Sequence, residues 1–162
     1  MTGLLALLQE CHRDKLNELL RHEVGARLVT PYDLNNAYQY IINREETQLS
    51  WLAKAITDLG GTVAHEPGEP RRPVSGPRKA AWRAVLEEDV RQSQAFVERW
   101  RPTVEAMTHA RHRGLLRVIL GETLEQKRLF EQALSGETDL LGRRGEEAGS
   151  AVGEVMPARW VE

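Results

Sequence analysis

The chain has 162 residues, of which 22 are Lys or Arg and 24 are Asp or Glu, for a formal charge of -2. That length holds one domain with a real core, or a core plus an appendage, and not two enzyme-sized domains. The near-neutral balance argues against a general nucleic-acid or anionic-membrane binder, and no apolar run approaches the ~20 residues of a membrane span. The opening, MTGLLALLQECHRD, lacks a basic leader and does not read as an export signal. Residues 3–29 contain no proline and are rich in Leu, Ala, Glu, Arg and Lys, so they read as one helix. At about 100° per residue, Leu5, His12, Leu16, Leu19, Leu20 and Glu23 share a side. The single cysteine, Cys11, cannot close an internal disulfide, and a reduced, cytoplasmic setting is the expectation.

Thr30-Pro31-Tyr32-Asp33 ends this helix and opens a second, because the residue before proline resists helical geometry. The second helix runs from about 31 to 59, with Leu34, Tyr38, Ile41, Glu45, Leu52, Ile56 and Leu59 on one side and Gln48 in the same band; Gly60-Gly61 stops it. Residues 62–77 hold four of the seven prolines and form an extended connection. A third helix covers about 78–100, with Trp82, Val85, Leu86, Asp89, Ser93, Phe96, Val97 and Trp100 inward. Arg101-Pro102-Thr103 is expected to break the run. From there to about 134 a fourth helix carries Glu105, His109, His112, Leu116, Ile119, Leu120, Thr123, Phe130 and Leu134, with Gly114 and Gly121 as its weak points.

The expected fold is all-α, a four-helix bundle over residues 1–135 with a long crossover between helices 2 and 3. A helix of about 26 residues is about 39 Å long, and about 16 extended residues reach roughly 50 Å. A linker that is not extended would serve a simple up-down bundle as well. Residues 136–162, with five glycines and little periodicity, read as a tail. Its apolar residues Leu140-Leu141, Val152, Val155-Met156 and Trp160 suit either self-covering or a partner.

Several ionisable residues stand where packing wants leucine: His12 and Glu23 on helix 1, Glu45 on helix 2, Asp89 on helix 3, and Glu105, His109 and His112 on helix 4. Buried carboxylates call for a partner, a metal or incomplete burial. In the crossed-over topology His12, Glu45 or Gln48, Asp89 or Ser93, and His109 or His112 fall toward one end. A mixed imidazole and carboxylate set of that kind suits zinc, manganese or iron. Ordinary ion pairing or peripheral placement is the competing account of the same residues. His22 is assigned to an outer helix surface and His65 to the linker. Arg71-Arg72 and Arg143-Arg144 read as solubilising charges, and no phosphate loop or dinucleotide fingerprint occurs.

The phrases LNELLRHEVGA, INREETQLSWLAKAITDLGG, LEEDVRQSQAF and ILGETLEQKRLFEQAL, with the long crossover, resemble the ferritin-like superfamily, especially its rubrerythrin-like and bacterioferritin-like members. The resemblance covers about residues 12–135. It implies two irons or manganese ions held by a carboxylate on each odd-numbered helix and ExxH on each even-numbered one. Glu23 and Glu45 match the first two carboxylates, while Gln48 stands at the first motif histidine. The third-helix glutamate falls near Ser93 or Gln94, and the second ExxH reads Thr123-Leu124-Glu125-Gln126.

The di-metal motif is thus degenerate, and a structural, interaction or small-ligand-binding role follows, with no cofactor. The alternative is a metal-dependent oxidoreductase using His12, Glu45, Asp89, His109 and His112 around iron, manganese or zinc. Partners are expected to be a second copy of the chain, as a dimer, or a small ligand, and neither nucleic acid nor a membrane.

Overall fold

The computed structural model describes residues 3–64 and 78–142, with the side chains of 78–80 left aside. Four helices follow one another: α1 (Leu4–Leu28), α2 (Tyr32–Asp58), α3 (Arg78–Ala106) and α4 (Ala110–Leu134). Cross-helix contacts fix their directions. Gln9 Nε2 donates to Thr62 O (2.9 Å), and Trp100 Nε1 donates to Asp14 Oδ2 (2.9 Å), so the ends of α2 and α3 meet the start of α1. At the far end Asn35 Nδ2 reaches Ala26 O and Arg83 Nη1 reaches Leu134 O. Hence α1 and α4 run one way, and α2 and α3 the other. Because α2 and α3 are parallel, the end of α2 and the start of α3 lie at opposite ends of the bundle, as the expected long crossover requires.

Helix α2 stops in a glycine turn: Gly60 takes φ 76°, and the amides of Gly60 and Gly61 close onto Thr57 O and Ile56 O, both at 2.9 Å. This is the paired bonding that satisfies terminal carbonyls after a left-handed residue. A Cβ at Gly61 would collide with Leu5 Cδ1, so the bare backbone lets the turn sit directly on α1. Gly136 (φ 89°) ends α4 in the same manner, and the chain then folds Leu140 into the core while Leu141 stays exposed. Val152, Val155-Met156, Trp160, His65, Arg71-Arg72 and Arg143-Arg144 lie outside the described residues.

Three expectations need correction. Helix α3 continues through Pro102 to Ala106, and the break falls at 107–109. Proline removes only one intrahelical donor, while Trp100, Val104 and Met107 bury their side chains around it. Glu105 and His109 consequently face solvent, and so does much of Leu59, which caps α2. The inward face of α1 is also rotated from the leucine stripe. It consists of Leu8, Cys11, His12, Lys15, Glu18, Leu19, His22, Gly25 and Ala26, a cleaner helical repeat carried partly by polar residues.

The core is layered. One apolar cluster, with Leu34, Ile41, Leu86 and Phe130 among its members, fills the α1/α2-turn end. A second, with Leu8, Leu52, Val97 and Ile119, fills the other end. Between them the bundle is polar.

Candidate functional site

The polar layer spans about two turns and draws on all four helices. Lys15, fully buried, holds its Nζ 2.8 Å from Glu18 Oε2 and 3.3 Å from Glu45 Oε1, donates to Thr123 Oγ1 (3.1 Å), and lies 4.9 Å from the Phe96 ring centre. The Thr123 hydroxyl donates in turn to Ile119 O (2.8 Å). Two turns on from Lys15, His22 Nδ1 meets Glu45 Oε2 at 2.8 Å and its Nε2 lies 4.0 Å from Asp89 Oδ1. Tyr38 donates to Asp89 Oδ2 at 2.6 Å, and the His22 and Tyr38 rings both lean on Phe130. Glu45 thus joins the lysine to the histidine.

Burial in this layer disfavours every charged form, and the pairing overrides it. Burial pushes the Lys15 ammonium down, yet Glu18 and Glu45 together raise it above its ordinary value. The His22 imidazole is likewise pushed down by burial and lifted further by Glu45, Asp89 and Glu18, so the net direction is up. Burial raises the Glu45 carboxyl, but His22 and Lys15 outweigh it and hold it below the usual range. A protonated His22 donates from Nδ1 to Glu45 and directs Nε2 toward Asp89. Two cations then face three carboxylates.

The neutral positions complete the ring. Gln48, Ser93, Thr123 and Gln126 are all at most 2 % exposed. Gln48 Nε2 donates to Glu122, which also takes Arg44, whereas Gln48 Oε1, Ser93 Oγ and both amide atoms of Gln126 have no hydrogen-bond partner on the protein. Buried polar atoms of this kind ordinarily find partners.

The sequence-selected residues separate into distinct places. Glu45, Gln48, Asp89, Ser93, Thr123 and Gln126 belong to the layer. Glu23 does not: it lines an outer groove between α1 and α2 with Asn35, Gln39 and Asn43, and Glu18 is the carboxylate that α1 turns inward. His12 is buried beside Leu16, Leu49 and Val63, in another α1/α2 pocket. His109 and His112 form a pair of their own at the start of α4, with Nδ1 atoms 2.7 Å apart, and His109 Nδ1 caps the His112 amide. Burial, then His109 and Arg111, lower the His112 pKa. His22, assigned from the sequence to the outer surface, is 1 % exposed at the centre. Lys15, Glu18 and His22 were the participants missed, while Tyr38 lies on the expected inward side of α2. Their signal is spacing, since positions 15, 18 and 22 continue the repeat of Leu8, Cys11 and Ala26.

The donors at the centre do not fit a pair of metal ions. Both carboxylates that could bridge two ions already hold an ammonium, and Gln, Ser and Thr occupy positions where anionic or imidazole ligands would be needed. Among the described residues, no group of three or more His, Cys, Asp and Glu side chains could hold a metal ion.

A second feature lies on the surface. Trp51, Lys54 and Ala55 of α2 and Arg111, His112, Leu115 and Val118 of α4 line an open groove of about 330 Å³, largely apolar. Val118 is 48 % exposed there, and the Arg44 guanidinium lies 5.7 Å from the Trp51 ring centre.

No family model, curated protein or solved structure matches this chain. No described helix is long and apolar enough to cross a membrane.

Proposed function

We propose that this chain is a ferritin-like bundle without the di-iron centre, acting as a cytoplasmic binding protein whose ligand enters the α2–α4 groove. The groove is the observation that carries the reading. Its volume falls within the roughly 300–1,000 Å³ of small-molecule sites, and it leaves Val118 exposed to water beside Trp51 and Leu115. Lys54 and Arg111, both exposed and sharing Asp58, are the cations that line it, and they suit a molecule with an apolar body and an anionic head that competes with Asp58. The buried Cys11, its thiol pushed up to about 12 by burial, is no obstacle to a reducing compartment and no nucleophile there.

The oxidoreductase alternative needs His12, Glu45, Asp89, His109 and His112 around one ion, and their distribution among an α1/α2 pocket, the polar layer and the head of α4 counts against it. The test is a fluorescence titration with decanoate. Saturable quenching or enhancement, abolished in Trp51→Phe and weakened at least tenfold by Val118→Glu, is expected. No saturable change would sink the reading. A dimer in sedimentation that Val118→Glu dissociates would give the groove to a second copy instead, and stoichiometric iron or manganese in protein purified without a histidine tag would return the enzyme.

A further inference from the structure

His112 lines the α2–α4 groove beside Trp51 and Leu115, and its neighbours determine which ring nitrogen carries the proton. Its own backbone amide donates to His109 Nδ1 (3.4 Å), the cap of α4, so that nitrogen is a lone pair. His112 Nδ1 lies 2.7 Å from the same atom, with the ring centres 4.2 Å apart. Two bare nitrogens would repel at that distance, so the proton between them belongs to His112 Nδ1. A neutral imidazole carries one N–H, which leaves His112 Nε2 as an acceptor. Burial, His109 and Arg111 together outweigh Asp58 and hold the His112 pKa below its ordinary 6.5, so the ring stays neutral at neutral pH. The cations of the groove lie elsewhere in its lining: Lys54 and Arg111 approach Asp58 at 3.0 and 4.0 Å.

We propose that His112 is a specificity residue of the groove, accepting a hydrogen bond at Nε2 from a hydroxyl of the ligand, and that His109 is the positioning residue that holds it in this form. The assignment rests on the anionic-headed ligand proposed above and narrows it from a plain apolar acid to a hydroxylated one. A carboxylate has no proton to offer Nε2, so it goes to Lys54 and Arg111. His112 stands next to Arg111 in the lining, which places the hydroxyl a few atoms from the carboxylate, as in a 3-hydroxyalkanoate. An unsubstituted chain would cover Nε2 with methylenes, and an acceptor buried without a donor costs more than an ordinary hydrogen bond contributes. The site therefore discriminates by what it leaves unpaired as well as by what it binds.

Nitrogen NMR of the histidine rings in the full chain, at about pH 7.5 and so above the ordinary imidazole pKa, reads the tautomer directly. His112 should be protonated at Nδ1 and bare at Nε2; the opposite tautomer, or an imidazolium, would overturn the proposal before any ligand is added. Fluorescence titrations then compare 3-hydroxydecanoate with decanoate. The hydroxylated acid should bind about three- to tenfold more tightly, the range for one neutral hydrogen bond. His112→Phe should bring the ratio of the two Kd values to one or reverse it, and His109→Ala should shrink it. His109→Asn should restore it, because the amide oxygen replaces Nδ1 both as helix cap and as acceptor. Equal Kd values in wild type, or a preference that survives His112→Phe, would overturn the assignment while leaving decanoate binding, and with it the groove, intact. Binding of neither acid would remove both.

Discussion

Glu45 is held from two sides, by Lys15 at Oε1 and by His22 at Oε2, and it is completely buried. Glu45→Gln keeps the shape and removes the charge, leaving an ammonium and an imidazolium in the low-dielectric interior with one partner fewer. Breaking a buried pair in that way costs about 3–5 kcal/mol, and urea unfolding followed by far-ultraviolet circular dichroism should register it. The same contacts give stability a pH dependence of definite sign. Because the folded-state pKa of His22 lies above its ordinary 6.5, its contribution is complete below that pH and disappears as the pH rises through the folded value. Glu45 behaves oppositely: its contribution is complete above about 4.5 and disappears as the pH falls through its lowered folded value. Urea midpoints should therefore decline from about pH 6.5 upward, and His22→Gln should be weaker at pH 6 but free of that decline. An unchanged alkaline slope in His22→Gln would assign the effect to another group.

At the scale of the helix, the inward faces of α2 and α3 were legible because their apolar members outnumber the polar ones. Leu34, Ile41, Leu52 and Ile56 on α2 announce the face on which Glu45 and Gln48 ride. Helix α1 was misread for the converse reason. Three of its central inward positions are Lys15, Glu18 and His22, so apolar periodicity chose the half-buried Leu16 and Leu20 and carried Glu23 along. Pro102 misled in a different way, since a proline near the end of a helix costs one bond and the packing of Val104 and Met107 holds the last turn in place. Glycines in α4 were read as weak points, and α4 runs through both. A Cβ at Gly121 would meet nothing within 4 Å, so Gly121→Ala removes unfolded-state freedom without a clash. It should raise stability by about 0.5–1 kcal/mol, measured as a higher urea midpoint at unchanged slope.

Across the whole molecule, two apolar clusters are separated by a charged layer to which every helix contributes. The crossover was legible in the proline-rich run, because its length matches a return along helices of about 40 Å. The composition of the layer was only half legible, since which of many charged residues turn inward depends on helix rotation, and one residue of rotation exchanges Glu23 for His22. The layer fixes rotation as well as adding energy, because any slip of α1 would withdraw Lys15 from Glu45 and Thr123 together. Its charges should accordingly be coupled. Lys15→Met alone takes the ammonium from Glu18 and Glu45 and leaves His22 as the buried cation of the layer, and should cost about 3–5 kcal/mol. Lys15→Met with Glu18→Leu removes one charge of each sign, leaves Glu45 with His22 and Asp89 with Tyr38, and refills the volume with apolar side chains. A double-mutant cycle by urea unfolding should then show the double variant less destabilised than the two singles summed, by about 1–3 kcal/mol. Strict additivity would mean that Lys15 and Glu18 are not partners in solution, and the ammonium would have to be neutralised by Glu45 alone.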